Sequence, residues 1–266
     1  MSDSPALSVR NLCVYVREDR TERTVVDGVS FDLAPGEVLA LVGESGCGKS
    51  KTAEAIMGLV PEAVGRVTAD AIELGDLDLA ALGERGLQKI RGCEISMVFQ
   101  EPLTALDPVF SNGYQLATQY RRHRGQSRRQ SRNSARDMLR RVGFDDPDRI
   151  MRSYPHQLSG GMRQRLIIAM AMACKPRVLV ADEPTTALDV TTQAQVLSQM
   201  IQMGRDTGTA ILLITHDLGI VAQYCDRALV MRQGLMVEDA SVKTLFVSPD
   251  HAYTATLISA AREMSL

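Results

Sequence analysis

The chain has 266 residues, 45% hydrophobic and 23% charged, a balance that belongs to a folded protein with a sizeable core. Thirty Lys and Arg stand against 32 Asp and Glu, and a formal charge of -2 excludes a global pull toward nucleic acid. No uncharged apolar run approaches twenty residues, and "MSDSPALSVRNLC" lacks the basic and apolar regions of a secretory signal, so no membrane span is expected.

In chain order, "LSVRNLCVYV" and "TVVDGVSFDL" read as strands around the charged loop "REDRTER", and "APGE" turns the chain. "EVLALVGESGCGKSKTAEAIMGL" reads as a buried strand, a glycine loop and a helix. Strand-like "GRVTADAIELG" and a short helical piece lead to "EISMVFQ", a strand ending in Gln100. From about Ser111 to Ser153 strand signals vanish. There "QYRRHRGQSRRQSRNSARDMLRRVGF" holds nine arginines against a single Asp, with Leu116, Met138, Leu139, Val142 and Phe144 as sparse apolar positions. This predicts an inserted helical lobe with a basic face, either simply solvated or in contact with acidic protein or lipid headgroups. After Leu158 the α/β rhythm returns: helix, strand "RVLVADE", helix, strand "AILLITHD", helix, strand "RALVMRQG", then a strand-turn and short helical pieces.

"GESGCGKS", Gly43 to Ser50, fits G-x-x-x-x-G-K-[ST] and has the strand before it and the helix after it that the pattern requires. Its glycines let successive N–H groups close around a phosphate, and the helix presents its N-terminus to the anion. Lys49 can reach the β- and γ-phosphates, and the Ser50 hydroxyl can ligate Mg2+. "VLVADE" is a strand buried on both faces that ends in two carboxylates, Asp182 and Glu183. Like charges placed there cost stability unless something positive is bound. Asp182 reads as a holder of Mg2+ through water, and Glu183 as the group that polarises an attacking water. Gln100 and His216 also stand just past strands, at the sheet end where ligands bind in α/β folds. Together these residues point to phosphoryl transfer from a nucleoside triphosphate to water.

"GESGCGKS", "VFQEP", "LSGGMRQR", "VLVADEPTTALD" and "LLITHD", in this order, resemble the nucleotide-binding subunit of an ABC transporter over nearly the whole chain. The resemblance implies an α/β P-loop NTPase fold: a RecA-like core, an N-terminal antiparallel β subdomain and an inserted helical subdomain. It implies one nucleotide-binding domain over 1–266, with core and β subdomain at about 1–110 and 165–245, helical subdomain at 111–164, and a tail at 246–266. The nucleotide-binding positions become Gly43, Glu44, Ser45, Gly46, Cys47, Gly48, Lys49, Ser50 and Lys51, with Ser50, Gln100 and Asp182 serving magnesium. Glu183 becomes the catalytic base, Gln100 the Q-loop glutamine and His216 the switch histidine. Leu158, Ser159, Gly160, Gly161, Met162, Arg163 and Gln164 form the signature, which in head-to-tail dimers meets the γ-phosphate held by the partner's P-loop. Ala187, Leu188 and Asp189 form the D-loop.

"ADEPTTALDVTTQAQVL" and "LFVSPDHAYTATLISA" are similar to the ATPases of oligopeptide, dipeptide and nickel importers, although the usual "HPYT" is here "HAYT", His251–Thr254. The implied activity is ATP hydrolysis coupled to import of peptides or a related small solute. A nickel or metal-chelate importer is one alternative, and a soluble ABC ATPase acting on nucleic acid or ribosomes is another. The implied cofactors are ATP and Mg2+. The implied partners are a paralogous ATPase subunit, two transmembrane permeases and, indirectly, an extracytoplasmic solute-binding protein; nucleic acid is not expected. The location is the cytoplasmic face of the cell membrane. Five scattered cysteines, without a CxxC pair, argue against disulfides or a structural zinc. Many peptide-importer relatives hold an iron–sulfur cluster on cysteines of a longer C-terminal segment, and with Cys225 the last cysteine here the resemblance carries over no such cluster. The aromatic residue that stacks on adenine in the family falls at Val16, with Tyr15 one position early. A one-residue shift reverses the side chain's face, so either the strand bulges and Tyr15 stacks, or adenine packs on Val16. Lys51 stands where the subfamily commonly has an apolar residue and is expected to be exposed.

Overall fold

Two β-branched stretches near the N-terminus form a long antiparallel hairpin, β1 (Leu7–Glu18) and β2 (Thr21–Leu33), in the computed structural model of the chain. The structure describes residues 4–18, 21–100, 105–186 and 188–264. By contact density they fall into two units, Met1–Gln88 with Ala210–Leu266, and Lys89–Thr209.

In the first unit β1 pairs on its other edge with β4 (Gly65–Thr68) and β5 (Ala71–Leu74), and β6 (Leu77–Asp78) continues from β5. A second sheet takes the order β11-β10-β3-β9: β3 (Val38–Val42), β9 (Ala210–Ile214) and β10 (Arg227–Arg232) run parallel, and β11 (Leu235–Ser241) closes the edge antiparallel. Every residue of β3 and β9 is buried, which requires cover on both faces and accounts for their unbroken apolar sequence. Helix α1 (Lys49–Ile56) follows β3, and α8 (Leu218–Tyr224), α9 (Val242–Val247) and α10 (Ala252–Met264) complete the unit. Its core joins Val42, Val221, Val230, Leu245, Tyr253 and Ile258. The expected short pieces at the end include one helix of 13 residues, α10.

In the second unit, which begins within α2 (Gly83–Ile90), β7 (Ile95–Val98) and β8 (Val178–Asp182) pair in parallel. The arginine-rich stretch is helical, as its composition predicts: α3 (Asn112–Arg124), α4 (Arg128–Arg141) and α5 (Pro147–Arg152). Sequence determines their ends. Ser111 caps α3, Gly125 closes it in the left-handed conformation, and Ser127 with Gln130 makes a capping box for α4. Asp146 caps α5 with Pro147 in its first turn. Leu116, Met138, Leu139, Val142 and Phe144 are all buried, each contributing roughly 1.5–3 kcal/mol relative to exposure. Helices α6 (Gly160–Met172) and α7 (Val190–Thr207) flank β8 in sequence.

Candidate functional site

Strand β3 delivers the chain into the glycine loop, whose backbone sits where side chains cannot. Gly43 and Gly48 take φ of 153° and 110°. A Cβ on Gly43 would stand 2.1 Å from the Met231 carbonyl oxygen, and one on Gly48 2.5 Å from that of Val25. The loop is thus seated against the end of β10 and the middle of β2. Glu44, Ser45 and Gly46 are exposed, whereas Cys47, Gly48 and Lys49 are buried. Lys49 Nζ donates to the carbonyl oxygens of Gly43 and Glu44, both at 2.8 Å, and so arches over its own loop. Ser50 is half-buried in the first turn of α1. Lys51, expected to be exposed, is half-buried and its Nζ lies 2.5 Å from Glu54 Oε2, because an i,i+3 carboxylate on the same helix captures it. Burial pushes the Cys47 thiol up in pKa against the opposing pull of Lys49, which favours the protonated form.

The β1–β2 register slips between Val14 and Tyr15, at the place where the sequence left a bulge open. Tyr15 then faces Thr24 on one side and Arg66 on the other, and both Tyr15 and Val16 are half-buried. Arg66 crosses over the tyrosine, its guanidinium carbon 4.1 Å from the ring centroid and its Nη2 3.1 Å from Glu22 Oε2. One neighbour past Tyr15 in the ladder, Val14 pairs with Val26, whose methyl would stand 3.3 Å from a Cβ on Gly48. The strand β2 that pairs with Tyr15 thus borders the glycine loop at Val25 and Val26. His216 is exposed just past β9, and Asp217 next to it caps α8 through the N–H groups of Gly219 and Ile220.

In the second unit Asp182 ends β8 and is buried. Glu183 has φ 45°, a strained conformation for a residue with a side chain, of the kind that collects at functional positions. Its Oε2 accepts from Gln100 Nε2 at 3.1 Å and from Thr186 Oγ1 at 2.9 Å. The two expected polar residues are thus in direct contact, and Thr186 is a partner that sequence reasoning missed.

The signature stretch is buried at both ends of its span and exposed just inside its start. Ser159 and Gly160 are exposed, Gly161, Met162 and Arg163 are half-buried, and Leu158 and Gln164 are buried. Ser159 caps α6, accepting from the Met162 N–H at 3.3 Å. A Cβ on Gly161 would meet Thr192 Cγ2 at 2.7 Å, while the nearest atom to one on Gly160 is Leu188 Cδ2 at 3.7 Å. A side chain at Gly161 would thus displace Thr192, whereas Gly160 is open. Asp189 caps α7 by accepting from the Thr192 N–H at 3.0 Å, which holds its carboxyl below the usual range. Leu188 is half-buried, and Ala187 lies outside the described residues. The helical lobe carries a cavity of about 630 Å³ lined by Tyr114, Arg121, Arg128, Arg132, Arg152 and Tyr154, among others.

A glycine loop seated between strands at the start of a helix, with a strained glutamate after a buried aspartate, defines a P-loop ATPase. A family model described as ABC transporter matches residues 26–186. The chain is 48% identical over 256 residues to the oligopeptide transport ATP-binding protein AppD of Bacillus subtilis, covering 96% of this chain and 78% of that protein. It is 47% identical over 260 residues to the dipeptide transport ATP-binding protein DppD of the same organism, covering 98% and 78%. Among solved structures, the dimeric bacterial ABC transporter cassette MJ0796 superposes with a TM-score of 0.78 at 25% identity, covering 89% of this chain and 98% of that one. The chain belongs to the ABC transporter family. It is an ABC-type ATPase with the fold expected from its motifs, including the β subdomain and the inserted helical lobe. Among the described residues no helix is long and apolar enough to cross a membrane.

Proposed function

We propose that this chain hydrolyses ATP to drive import of di- or oligopeptides through a membrane permease. The observation that carries this is 48% identity across 96% of the chain to a protein named for oligopeptide transport, alongside 47% to one named for dipeptide transport. In this reading Gly43–Ser50 holds the β- and γ-phosphates, and Tyr15, steadied by Arg66, stacks on adenine. The Glu183 carboxylate takes a proton from the water that attacks the γ-phosphorus, as the bond to the ADP oxygen breaks; Gln100 and Thr186 orient that carboxylate, and His216 faces the γ-phosphate. The oxygen donors Ser50, Gln100 and Asp182 suit Mg2+, which binds through few protein ligands together with substrate phosphates. When bound, the ion neutralises charge on the β- and γ-phosphate oxygens. Ser159 and Gly160, exposed at the head of α6, serve ATP held by a paralogous partner ATPase, and Leu188 and Asp189 lie at the same junction.

The chain works at the cytoplasmic face of the membrane beneath two permease subunits that receive peptide from a solute-binding protein. The arginine-lined cavity on the helical lobe supports contact with that assembly. The test is ATPase activity of the reconstituted transporter. Peptide-loaded binding protein is expected to stimulate it, and stimulation by a nickel chelate but by no peptide would overturn the substrate assignment.

A further inference from the structure

The C-terminal motif "SPDHAYT", Ser248–Thr254, is far in sequence from every residue given a role above, yet it reaches the glycine loop. Glu238 on β11 is buried, and its carboxylate accepts from the N–H groups of Asp250 at 2.9 Å and His251 at 3.1 Å. His251 Nδ1 in turn accepts from the Tyr253 N–H at 3.1 Å. These bonds fix the start of α10, and Ala252 fits there as well as the proline of the usual motif, since a first helical residue needs no bonded N–H. Tyr253 is thereby held in the core against Val42 and Val230, 7% exposed, with the Arg232 guanidinium 4.8 Å from its ring centroid. Its hydroxyl accepts a hydrogen bond from the Glu44 N–H at 3.2 Å.

Glu44 is the first exposed residue of the loop, and its carbonyl also accepts from Lys49 Nζ. The loop's other end is tied by Gly234 N–H to the Cys47 carbonyl oxygen at 3.0 Å. The entry and the far end of the loop are thus anchored by separate parts of the C-terminal region, and Tyr253 supplies the anchor at the entry.

We propose that Tyr253 is a positioning residue for nucleotide binding: through Glu44 it holds the glycine loop in the shape that receives phosphate, and Glu238 holds Tyr253. The inference rests on the reading of Gly43–Ser50 as the ATP site. Its test is Tyr253→Phe in the full chain, which keeps the ring and removes the hydroxyl. Equilibrium binding is measured for Mg-ATP and for inorganic triphosphate, beside thermal melting without ligand and with Lys49→Ala as the reference for loss of the phosphate site. One lost hydrogen bond predicts affinity weaker by about twofold to tenfold, for ATP and triphosphate alike. Glu238→Gln, which loosens the same tyrosine, is expected to act in the same direction and decides the matter should Tyr253→Phe fail to fold. Unchanged affinity in both variants, whatever their melting temperatures, would overturn the proposal. So would weakened ATP binding with triphosphate binding unaltered, which places the effect on base or ribose. A native chain that binds neither ligand would instead defeat the ATP-site reading itself.

Discussion

Replacing Glu183 by Gln isolates its charge from its shape. The amide keeps the side-chain volume, and its oxygen can still accept from Thr186 Oγ1 or Gln100 Nε2, the two donors that hold the carboxylate at 2.9 and 3.1 Å. The left-handed turn at φ 45° is therefore still supported, and the folded chain is expected to change little. What disappears is the proton acceptor. A positioned base is worth about 10²–10⁴ in rate, or roughly 2.7–5.4 kcal/mol of barrier. Glu183→Gln should thus lower turnover of the assembled transporter by at least ~100-fold, with equilibrium ATP affinity retained. Both are measured on one preparation, as steady-state phosphate release and as binding of ATP. Turnover close to that of the native complex would refute the assignment of the base. An equal loss of ATP binding would show that the carboxylate holds the ground state.

Three further outcomes follow from the geometry. Tyr15→Ala should weaken ATP binding by roughly 5- to 150-fold, the range of ~1–3 kcal/mol measured for base–aromatic stacking, and an unchanged dissociation constant would pass the base to Val16. Gly161→Ala should lower the melting temperature, since its methyl meets Thr192 at 2.7 Å and overpacking costs about 1–3 kcal/mol. Gly160→Ala should leave melting unchanged yet impair the assembled ATPase, and matched melting for the two variants would contradict the packing argument. The Glu238 carboxyl lies below its ordinary pKa: burial pushes it up, but the nearby Thr254 hydroxyl and the hydrogen bonds from the Asp250 and His251 N–H groups outweigh that. Its stabilising contribution is full above the unfolded value of about 4.3 and is lost as pH falls through the lower folded value. Native chain should accordingly lose more melting temperature than Glu238→Gln on acidification through that range, and parallel curves would refute it.

Local patterns carried much of this molecule into view. The strand, glycine loop and helix around Lys49 and the acidic end of β8 each depend on neighbours a few residues away, so periodicity and spacing reveal them. Contacts across long loops left no such trace. Tyr253 meets Glu44 over 209 residues of chain, and nothing in the spacing of "HAYT" announces that contact. Arg66 over Tyr15 depends on which strand pairs with β1, and the slip between Val14 and Tyr15 is a register event that strand propensity does not encode. Nor does the glycine pair in the signature announce that Gly161 lies close to Thr192 while Gly160 stays open.

That last contact links two things the motifs treat separately. The head of α6 rests on Leu188 and Thr192, within ten residues of Glu183 and on the same short stretch that Asp189 closes into α7. Room for a Cβ is lacking at Gly161, so the head of the helix that exposes Ser159 and the segment after Glu183 are near neighbours in a close-packed interior. If Ser159 serves the neighbouring chain's nucleotide, the surface shown to that neighbour and the residues following this chain's own glutamate share one patch of packing.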